Sequence, residues 1–398
     1  MTDYLIVGNG VAGTTAAEHI RKLDDNGNII IVTDEDFPFY SRIRLPEYIA
    51  NEIPEERLVI KKENWYTNLR IDLKLNTRII GADAKDKVLI ADNGQKFSYD
   101  VLLIAAGSHS FLPPIKGLER KGAFTLRNVK DARDILAYAQ NVQEVVLIGG
   151  GLLGLESGNA LRKTGKTVTV VEFFPRLLPR QLDVDGAKEL QNIMEKMGFS
   201  FRLDARTQEI IGNTHVEGIL LEDGDLLPGQ MVIISAGVRP NMELAELLGL
   251  DVDKGIKVDN NLKANQPDIF AAGDVAEFKG APYGIWPAAA EQGEVAGVNM
   301  TGRSTLYPGT TMSNKLKVVG VDLASAGNID VDHQMEFRVV KEEKLYKKII
   351  FEENKIVGCI MLGDTTGFNK VVKAMSEQKD VSPIKDDILS KGFDFNLI

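Results

Sequence analysis

Two glycine-rich turns of the same design punctuate this chain, and they restrict its possible folds more than any other feature. The first, Gly8-Asn9-Gly10-Val11-Ala12-Gly13, follows the apolar run Tyr4-Leu5-Ile6-Val7. The second, Gly149-Gly150-Gly151-Leu152-Leu153-Gly154, follows Val145-Val146-Leu147-Ile148. Glycines at the first, third and sixth places let a strand turn sharply, let its backbone approach a pyrophosphate and let the next helix pack close. The phosphates then meet the free N–H groups and the positive dipole end of that helix. Each turn also has an acid about 20 residues on, placed to accept hydrogen bonds from a ribose diol. Asp34, Glu35 and Asp36 are the candidates in the first unit, and Glu172 is the candidate in the second. One such turn is a weak signal. Two in strand–turn–helix context predict two dinucleotide sites on one polypeptide, and hence electron transfer between them.

A chain of 398 residues has room for two or three domains, and 44% hydrophobic with 26% charged residues describes a globular protein. The first strand begins almost at the N-terminus, and no apolar run reaches roughly 18 residues. A cytoplasmic protein without membrane contact is therefore expected. The net charge of -10 disfavours nucleic acid as a partner. Cys359 is the single cysteine, so neither an intrachain disulfide nor a CxxC redox centre can form. His19, His109, His215 and His333 are scattered without ligand spacing, so no metal site is expected.

Nearly continuous apolar runs predict buried parallel strands over 4–7 and 28–33, joined by a helix over 14–23, with a second β-α-β unit from near 144 to 172. Short strands are predicted over 78–90 and 97–106 and again over 199–227, with turns at Asp92-Asn93-Gly94 and Asp223-Gly224. From about 307 the pattern alternates over 336–340, 345–352 and 356–362 and then turns helical, which predicts a small α+β domain. A carboxylate at Glu172 repels a 2′-phosphate and so favours NAD(H) over NADP(H), although Arg176, four residues on, would blunt the preference.

Three further segments resemble a known family. Residues 99–107, ending Ala105-Ala106-Gly107, look like the strand and turn after the β-meander of two-dinucleotide flavoproteins, with Ala106 in place of the usual threonine. Ala271-Ala272-Gly273-Asp274 resembles the second FAD motif, whose aspartate bonds the ribityl chain. Trp286-Pro287-Ala288-Ala289-Ala290-Glu291-Gln292-Gly293 is similar to the helix whose N-terminus faces the pyrimidine end of the flavin. Together with the paired turns they resemble the pyridine nucleotide-disulfide oxidoreductase superfamily over essentially the whole chain. The implied fold class is α/β, with two Rossmann-like dinucleotide-binding domains in a glutathione reductase-like arrangement and a small C-terminal α+β domain. The implied segments are 1–108 and 230–305 for FAD, 109–229 for NAD and 306–398 for the last domain.

The resemblance assigns residues as well. Phe39-Tyr40-Ser41-Arg42-Ile43-Arg44-Leu45 is similar to the Y-x-R-x-x-L segment of ferredoxin and rubredoxin reductases and of the flavin part of NADH-dependent nitrite reductases. Arg42 is thereby implied beside the FAD pyrophosphate, and counting back from it selects Glu35 as the ribose acid. The implied FAD set is Gly8, Gly10, Val11, Ala12, Gly13, Glu35, Arg42, Ile79, Ala105, Ala106, Gly107, Gly273, Asp274, Glu291 and Gln292. The implied NAD set is Gly149, Gly151, Leu152, Leu153, Gly154, Glu172, Ala236 and Gly237. Glu156 matches the family glutamate near the nicotinamide carboxamide. Glu47 stands where ferredoxin reductases set a lysine against flavin N5, which leaves Arg44 or Lys317 as substitutes.

Absences narrow the subclass. The CxxxxC pair of disulfide reductases is missing, and no cysteine stands in 37–45, where coenzyme A-disulfide reductases keep one. Cys359, within an apolar run, reads as a small buried hydrophobe. The stretch Asn314-Lys315-Leu316-Lys317-Val318 and residues 358–364 look closest to NADH:rubredoxin oxidoreductases and nitrite reductase flavin domains. The implied protein is a monomeric or homodimeric FAD-dependent NADH oxidoreductase passing single electrons to a small redox protein such as rubredoxin. Alternatives are an electron-transfer subunit of a larger iron–sulfur or metal oxidoreductase complex, an NADH oxidase, or a non-catalytic flavin redox sensor. With one cysteine the chain has no iron–sulfur or siroheme ligands, so it is not expected to reduce nitrite itself.

Overall fold

A computed structural model describes residues 1–311 and 313–398, with only the backbone described for Ser313, Asn314 and Leu316. The chain forms two compact units. One comprises Met1–Leu45, Ile53–His109 and Val238–Thr310; the other comprises Pro46–Glu52, Ser110–Gly237 and Thr311–Ile398.

The first unit is built on a five-stranded parallel sheet in the spatial order Ile269–Ala271, Val101–Ile104, Asp3–Val7, Asn28–Val32, Ile71–Lys74. Alternation along the central strand sends neighbours to opposite faces. Ile6 joins Ile31 and Leu103 in one apolar cluster, while Leu5 joins Val32, Leu102 and Ile104 in another. Both faces are thus covered, and this is why the strands read as unbroken apolar runs. The first fingerprint helix, Val11–Leu23, packs against the long helix Trp286–Met300. Small residues set that contact: a Cβ on Gly293 would lie 2.5 Å from Ala12 O, and one on Gly297 would lie 2.6 Å from Ala16 O. An antiparallel sheet of Ile79–Asp83, Val88–Ala91 and Lys96–Ser98 completes the unit.

The second unit repeats the parallel design in the order Ser200–Arg202, Thr167–Val171, Glu144–Ile148, Met231–Ile234, Ala123–Thr125. The fingerprint strand is again central, but the outer strand beside Met231–Ile234 comes from earlier in the chain. Residues 230–237 therefore belong to this sheet and not, as the sequence suggested, to the first unit, and the chain passes to the first unit at Val238. Thr207–Ile211, Gly218–Leu221 and Leu226–Pro228 form its antiparallel sheet.

The C-terminal residues form a five-stranded antiparallel sheet in the order Ser313–Val318, Val321–Gly327, Lys355–Leu362, Leu345–Glu352, Glu336–Glu342, backed by the helix Phe368–Ser376. Within this unit Lys348, fully buried, sits 3.2 Å from Asp183 Oδ2 and 3.5 Å from Asp330 Oδ2, and Tyr346 donates its hydroxyl to Asp183 at 2.6 Å. Asp183 also caps the helix Val184–Lys196 by accepting Gly186 N–H. No helix among the described residues is long and apolar enough to cross a membrane.

Candidate dinucleotide sites

In both units the central strand ends in a glycine turn beside the loop leaving an adjacent parallel strand, Val101–Ile104 in the first and Met231–Ile234 in the second. This is the crevice where doubly wound sheets bind ligands. The two turns are stereochemical copies. Gly8 has φ +116° and Gly149 has φ +112°. A Cβ on Gly8 would lie 2.1 Å from Ala105 O, and one on Gly149 would lie 2.3 Å from Ser235 O. The sixth-place glycines are equally closed, since Cβ atoms on Gly13 and Gly154 would fall 2.1 and 2.6 Å from the carbonyl oxygens of Gly8 and Gly149. The middle glycines differ: a Cβ on Gly10 or Gly151 meets no described protein atom within 4 Å. Two glycines are needed for packing, and the third leaves open backbone where a pyrophosphate approaches. The first helical turns, Val11-Ala12-Gly13-Thr14 and Leu152-Leu153-Gly154-Leu155, hold no acid that would compete with a phosphate for the helix dipole.

The rest of the first site assembles on this turn. Glu35 lies on the loop after Asn28–Val32, where it accepts a hydrogen bond from Tyr40 Oη at 2.6 Å and pairs with Arg42. Burial alone would lower the Arg42 pKa, but Tyr40, Glu35, Asp274 and Asp34 around it hold it above its ordinary value. Glu35, Arg42, Asn9 and Gly10 line one cleft together with Thr33 and Phe39. Asp274 follows Gly273 (φ +85°), whose Cβ would touch the Ala12 methyl at 3.1 Å, so the second FAD motif lies against the start of the fingerprint helix.

Other expected residues play supporting parts. Gln292 is buried behind the motif, accepting Gly273 N–H at 2.8 Å. Glu291 is exposed and accepts from Thr310 Oγ1 at 2.5 Å. Ala105 donates to Val7 O, while Ala106 O and Gly107 O accept from Asn241. Ile79 packs with the apolar cluster that contains Leu89 and Phe97. Arg44 donates to Arg57 O at 3.0 Å. Ser108, whose hydroxyl donates to Asp274 Oδ2 at 2.8 Å, was not among the residues expected from the sequence, although its place directly after Gly107 was a usable signal. Carboxylate acceptors for sugar hydroxyls and an arginine and open glycine N–H groups for a diphosphate are what FAD requires, and the residues present fit it.

In the second unit Glu172 is buried, accepting Phe174 N–H at 2.8 Å with one oxygen and Gly150 N–H with the other. Arg176, which the sequence set near the ribose, instead donates to Pro179 O and Leu182 O. Phe173 is half exposed, and the Arg206 guanidinium stands 4.7 Å from its ring centre. Ser235 donates to Ile148 O, bringing Ala236 and Gly237 to the end of the sheet; Gly237 O accepts from Phe111. Leu152 and Leu153 open the helix Leu152–Lys163.

Glu156, one turn into that helix, accepts Val319 N–H at 2.6 Å. Burial raises its carboxyl above the usual range, and the Val319 N–H and Lys163 pull it partly back. Val319 and Gly320 are the central residues of the hairpin joining Ser313–Val318 to Val321–Gly327, with φ +54° and +84°. A β-branched residue is unusual there. Lys317 is exposed on the same hairpin; the side chains of its neighbours Asn314 and Leu316 lie outside the described residues. Cys359 is fully buried, and burial pushes its thiol up to about 12.

Comparison with known proteins agrees with this geometry. Residues 2–293 match the family described as pyridine nucleotide-disulphide oxidoreductase, and residues 313–379 match the rubredoxin NAD+ reductase C-terminal domain. The chain is 35% identical over 382 residues to nitrite reductase [NAD(P)H] of Bacillus subtilis, covering 95% of this chain but 48% of that protein. It spans half or less of the length of this and several other relatives. It is 31% identical over 385 residues to NADH-rubredoxin oxidoreductase of Clostridium acetobutylicum, covering 96% of this chain and 97% of that one. The crystal structure of NADH:rubredoxin oxidoreductase from the same organism superposes with a TM-score of 0.82 at 30% identity, covering 96% of each chain. With one family match running through both parallel sheets, the chain belongs to the pyridine nucleotide-disulphide oxidoreductase family.

Proposed function

We propose that this protein is an FAD-dependent NADH oxidoreductase that delivers electrons to a small redox protein of the rubredoxin class. The observation that carries the proposal is the duplication of one glycine turn in two units, each with its own buried or half-buried acid. The end-to-end likeness to the clostridial enzyme, C-terminal domain included, supports the choice of acceptor. Bound FAD supplies the conversion of a two-electron donor into single electrons.

The chain's own residues bind and orient. In the first unit the Gly8–Gly13 turn and Arg42 hold a diphosphate, Glu35 a ribose, and Asp274, fixed by Ser108, the ribityl chain. In the second unit the Gly149–Gly154 turn holds the diphosphate of NADH, and Glu172 its adenosine ribose. Glu156 is the group assigned to the nicotinamide carboxamide. No general acid or base is needed for hydride transfer, which depends on alignment. Cys359, with its thiol buried and protonated, takes no part.

A second reading, an electron-input unit for a larger reductase, is favoured by the match to one half of a nitrite reductase. Anaerobic stopped-flow mixing with NADH and then oxidised rubredoxin separates the two. Fast flavin bleaching followed by fast rubredoxin reduction is expected. Fast bleaching with slow rubredoxin reduction would support the second reading, and no bleaching by NADH would overturn both. The proposed setting is the cytoplasm, where NADH is the reductant at hand.

A further inference from the structure

The residue inside the first turn, Asn9, carries an unexplained group. Its amide nitrogen is buried and has no hydrogen-bond partner among the described residues, although Asn9 lines the cleft that also holds Gly10, Glu35 and Arg42. An amide donor left in this state is costly, so such groups are rarely retained without an acceptor that the fold itself does not supply. The amide is also deliberately held. Tyr66, on the short helix Glu63–Asn68, accepts Phe39 N–H at 3.0 Å and directs its own proton to Asn9 Oδ1 at 3.0 Å. With the oxygen of Asn9 committed to Tyr66, the nitrogen is left for the cleft. Burial raises the Tyr66 hydroxyl above its ordinary pKa, which preserves it as a donor.

The acceptor must be a group that brings lone pairs into the cleft. Glu35 is the carboxylate in that cleft, and it is engaged by Tyr40 and Arg42. Asn9 directly precedes Gly10, the glycine whose open backbone lets a pyrophosphate approach. We propose that Asn9 Nδ2 donates a hydrogen bond to the diphosphate of FAD, and that Tyr66 is the positioning residue that holds the amide in place. The inference rests on the assignment of FAD to the first unit. It adds an uncharged donor beside the Arg42 charge, supplied by a side chain of the glycine turn and secured from the 37–40 segment.

The test is equilibrium binding to protein stripped of flavin, followed by quenching of FAD fluorescence, with ADP as a competing ligand. Asn9→Ala is expected to weaken both FAD and ADP by about 10-fold or more, the ordinary worth of one hydrogen bond to a charged group. Asn9→Asp, which sets an anion against the phosphates, is expected to weaken both further, and Tyr66→Phe to weaken them less than Asn9→Ala does. Apo-protein melting and NADH binding in the second unit serve as folding readouts; the Asn9 variants should leave both near the parent's, while Tyr66→Phe, which takes the acceptor from Phe39 N–H, should lower the melting point but not NADH binding. Parent-like FAD and ADP affinity in Asn9→Asp would overturn the inference while leaving FAD in place. A parent protein that fails to take up FAD would overturn it together with the functional reading, and affinity lost only in step with apo-protein melting would assign both residues to folding alone.

Discussion

The carboxylate of Glu172 accepts the backbone N–H of Gly150, so the acid proposed to select the cofactor also fastens the turn proposed to bind its phosphates. Its other oxygen accepts Phe174 N–H at 2.8 Å. Both bonds are buried, and charge-assisted bonds of this kind are stronger than neutral ones. On that proposed role, cofactor selectivity and loop shape are coupled through one side chain. Replacing Glu172 with glycine and Phe173 with arginine is expected to shift preference from NADH toward NADPH, but with a lower absolute rate on either, because Gly150 N–H loses its acceptor. Glu172→Gln, which retains one acceptor oxygen, should lower kcat/KM for NADH by about 10-fold or more without a matching gain for NADPH. Steady-state kinetics with both nucleotides checks this; unchanged selectivity in the double variant would remove the ribose assignment.

The contact between Gly293 and Ala12 sets how closely the long helix approaches the fingerprint helix. A side chain at Gly293 meets the Ala12 carbonyl oxygen, which is backbone and cannot swing away. Gly293→Val should therefore force the helices apart at the turn that bears Gly13, at a cost of about 1–3 kcal/mol, with part of the bound FAD lost. The measurements are the thermal midpoint and the flavin-to-protein absorbance ratio after gel filtration. A fully flavinylated variant with the parent's midpoint would show that the helices have room to spare.

Lys348 lies between Asp183 and Asp330 with no solvent exposure, and Tyr346 completes the ring of partners. Burial and Asp183 both hold the Tyr346 hydroxyl above its ordinary pKa, so it remains a donor. Lys348→Met leaves two buried carboxylates without their shared cation and should cost about 3–5 kcal/mol, the usual penalty for breaking a buried pair from one side. Adding Asp183→Asn should recover part of the loss, although it weakens the cap on Val184–Lys196. Chemical denaturation of the three variants tests the coupling. Purely additive losses would mean that Lys348 and Asp183 act independently.

Elements with strong periodicity and turns with fixed stereochemistry were legible in the sequence. The two central β-α-β units, the short-strand regions within 78–106 and 199–227 and the C-terminal strands within 336–362 follow from apolar runs, Asp-Gly and Asn-Gly turns and period-two alternation, whereas Ile71–Lys74, Ala123–Thr125, Ser313–Val318 and Val321–Gly327 carry too little pattern to be read as strands. What was not legible depends on partners distant in the chain. Met231–Ile234 reads as an ordinary buried strand, and only its pairing with Glu144–Ile148 shows which unit owns it. Arg176 is four residues from Glu172 in sequence, yet its guanidinium is turned to the carbonyls of Pro179 and Leu182. Neither Tyr66 nor Val319 carries a local signal, because each donates its hydrogen bond to a residue more than fifty positions away.

Glu156 joins burial to the second fingerprint helix, and its ionisation gives a pH-dependent prediction. Its carboxyl is raised in the folded protein, chiefly by burial, despite the opposing hydrogen bond from Val319 N–H. A raised folded-state pKa means that the stabilising contribution is complete below the unfolded-state value of 4.5 and is lost as pH rises through the folded value. Relative to Glu156→Gln, the parent should therefore lose stability as pH climbs from that value through the raised one, and then level off. The same ionisation should appear in the rate of flavin reduction by NADH as a limb above the ordinary carboxylate range. Denaturation midpoints and anaerobic stopped-flow traces for both proteins, taken between about pH 4 and 8, measure the two effects. Glu156→Gln should flatten both profiles. A rate limb that survives in the variant would place the titrating group elsewhere, and a stability difference independent of pH would show that Glu156 keeps one charge state throughout.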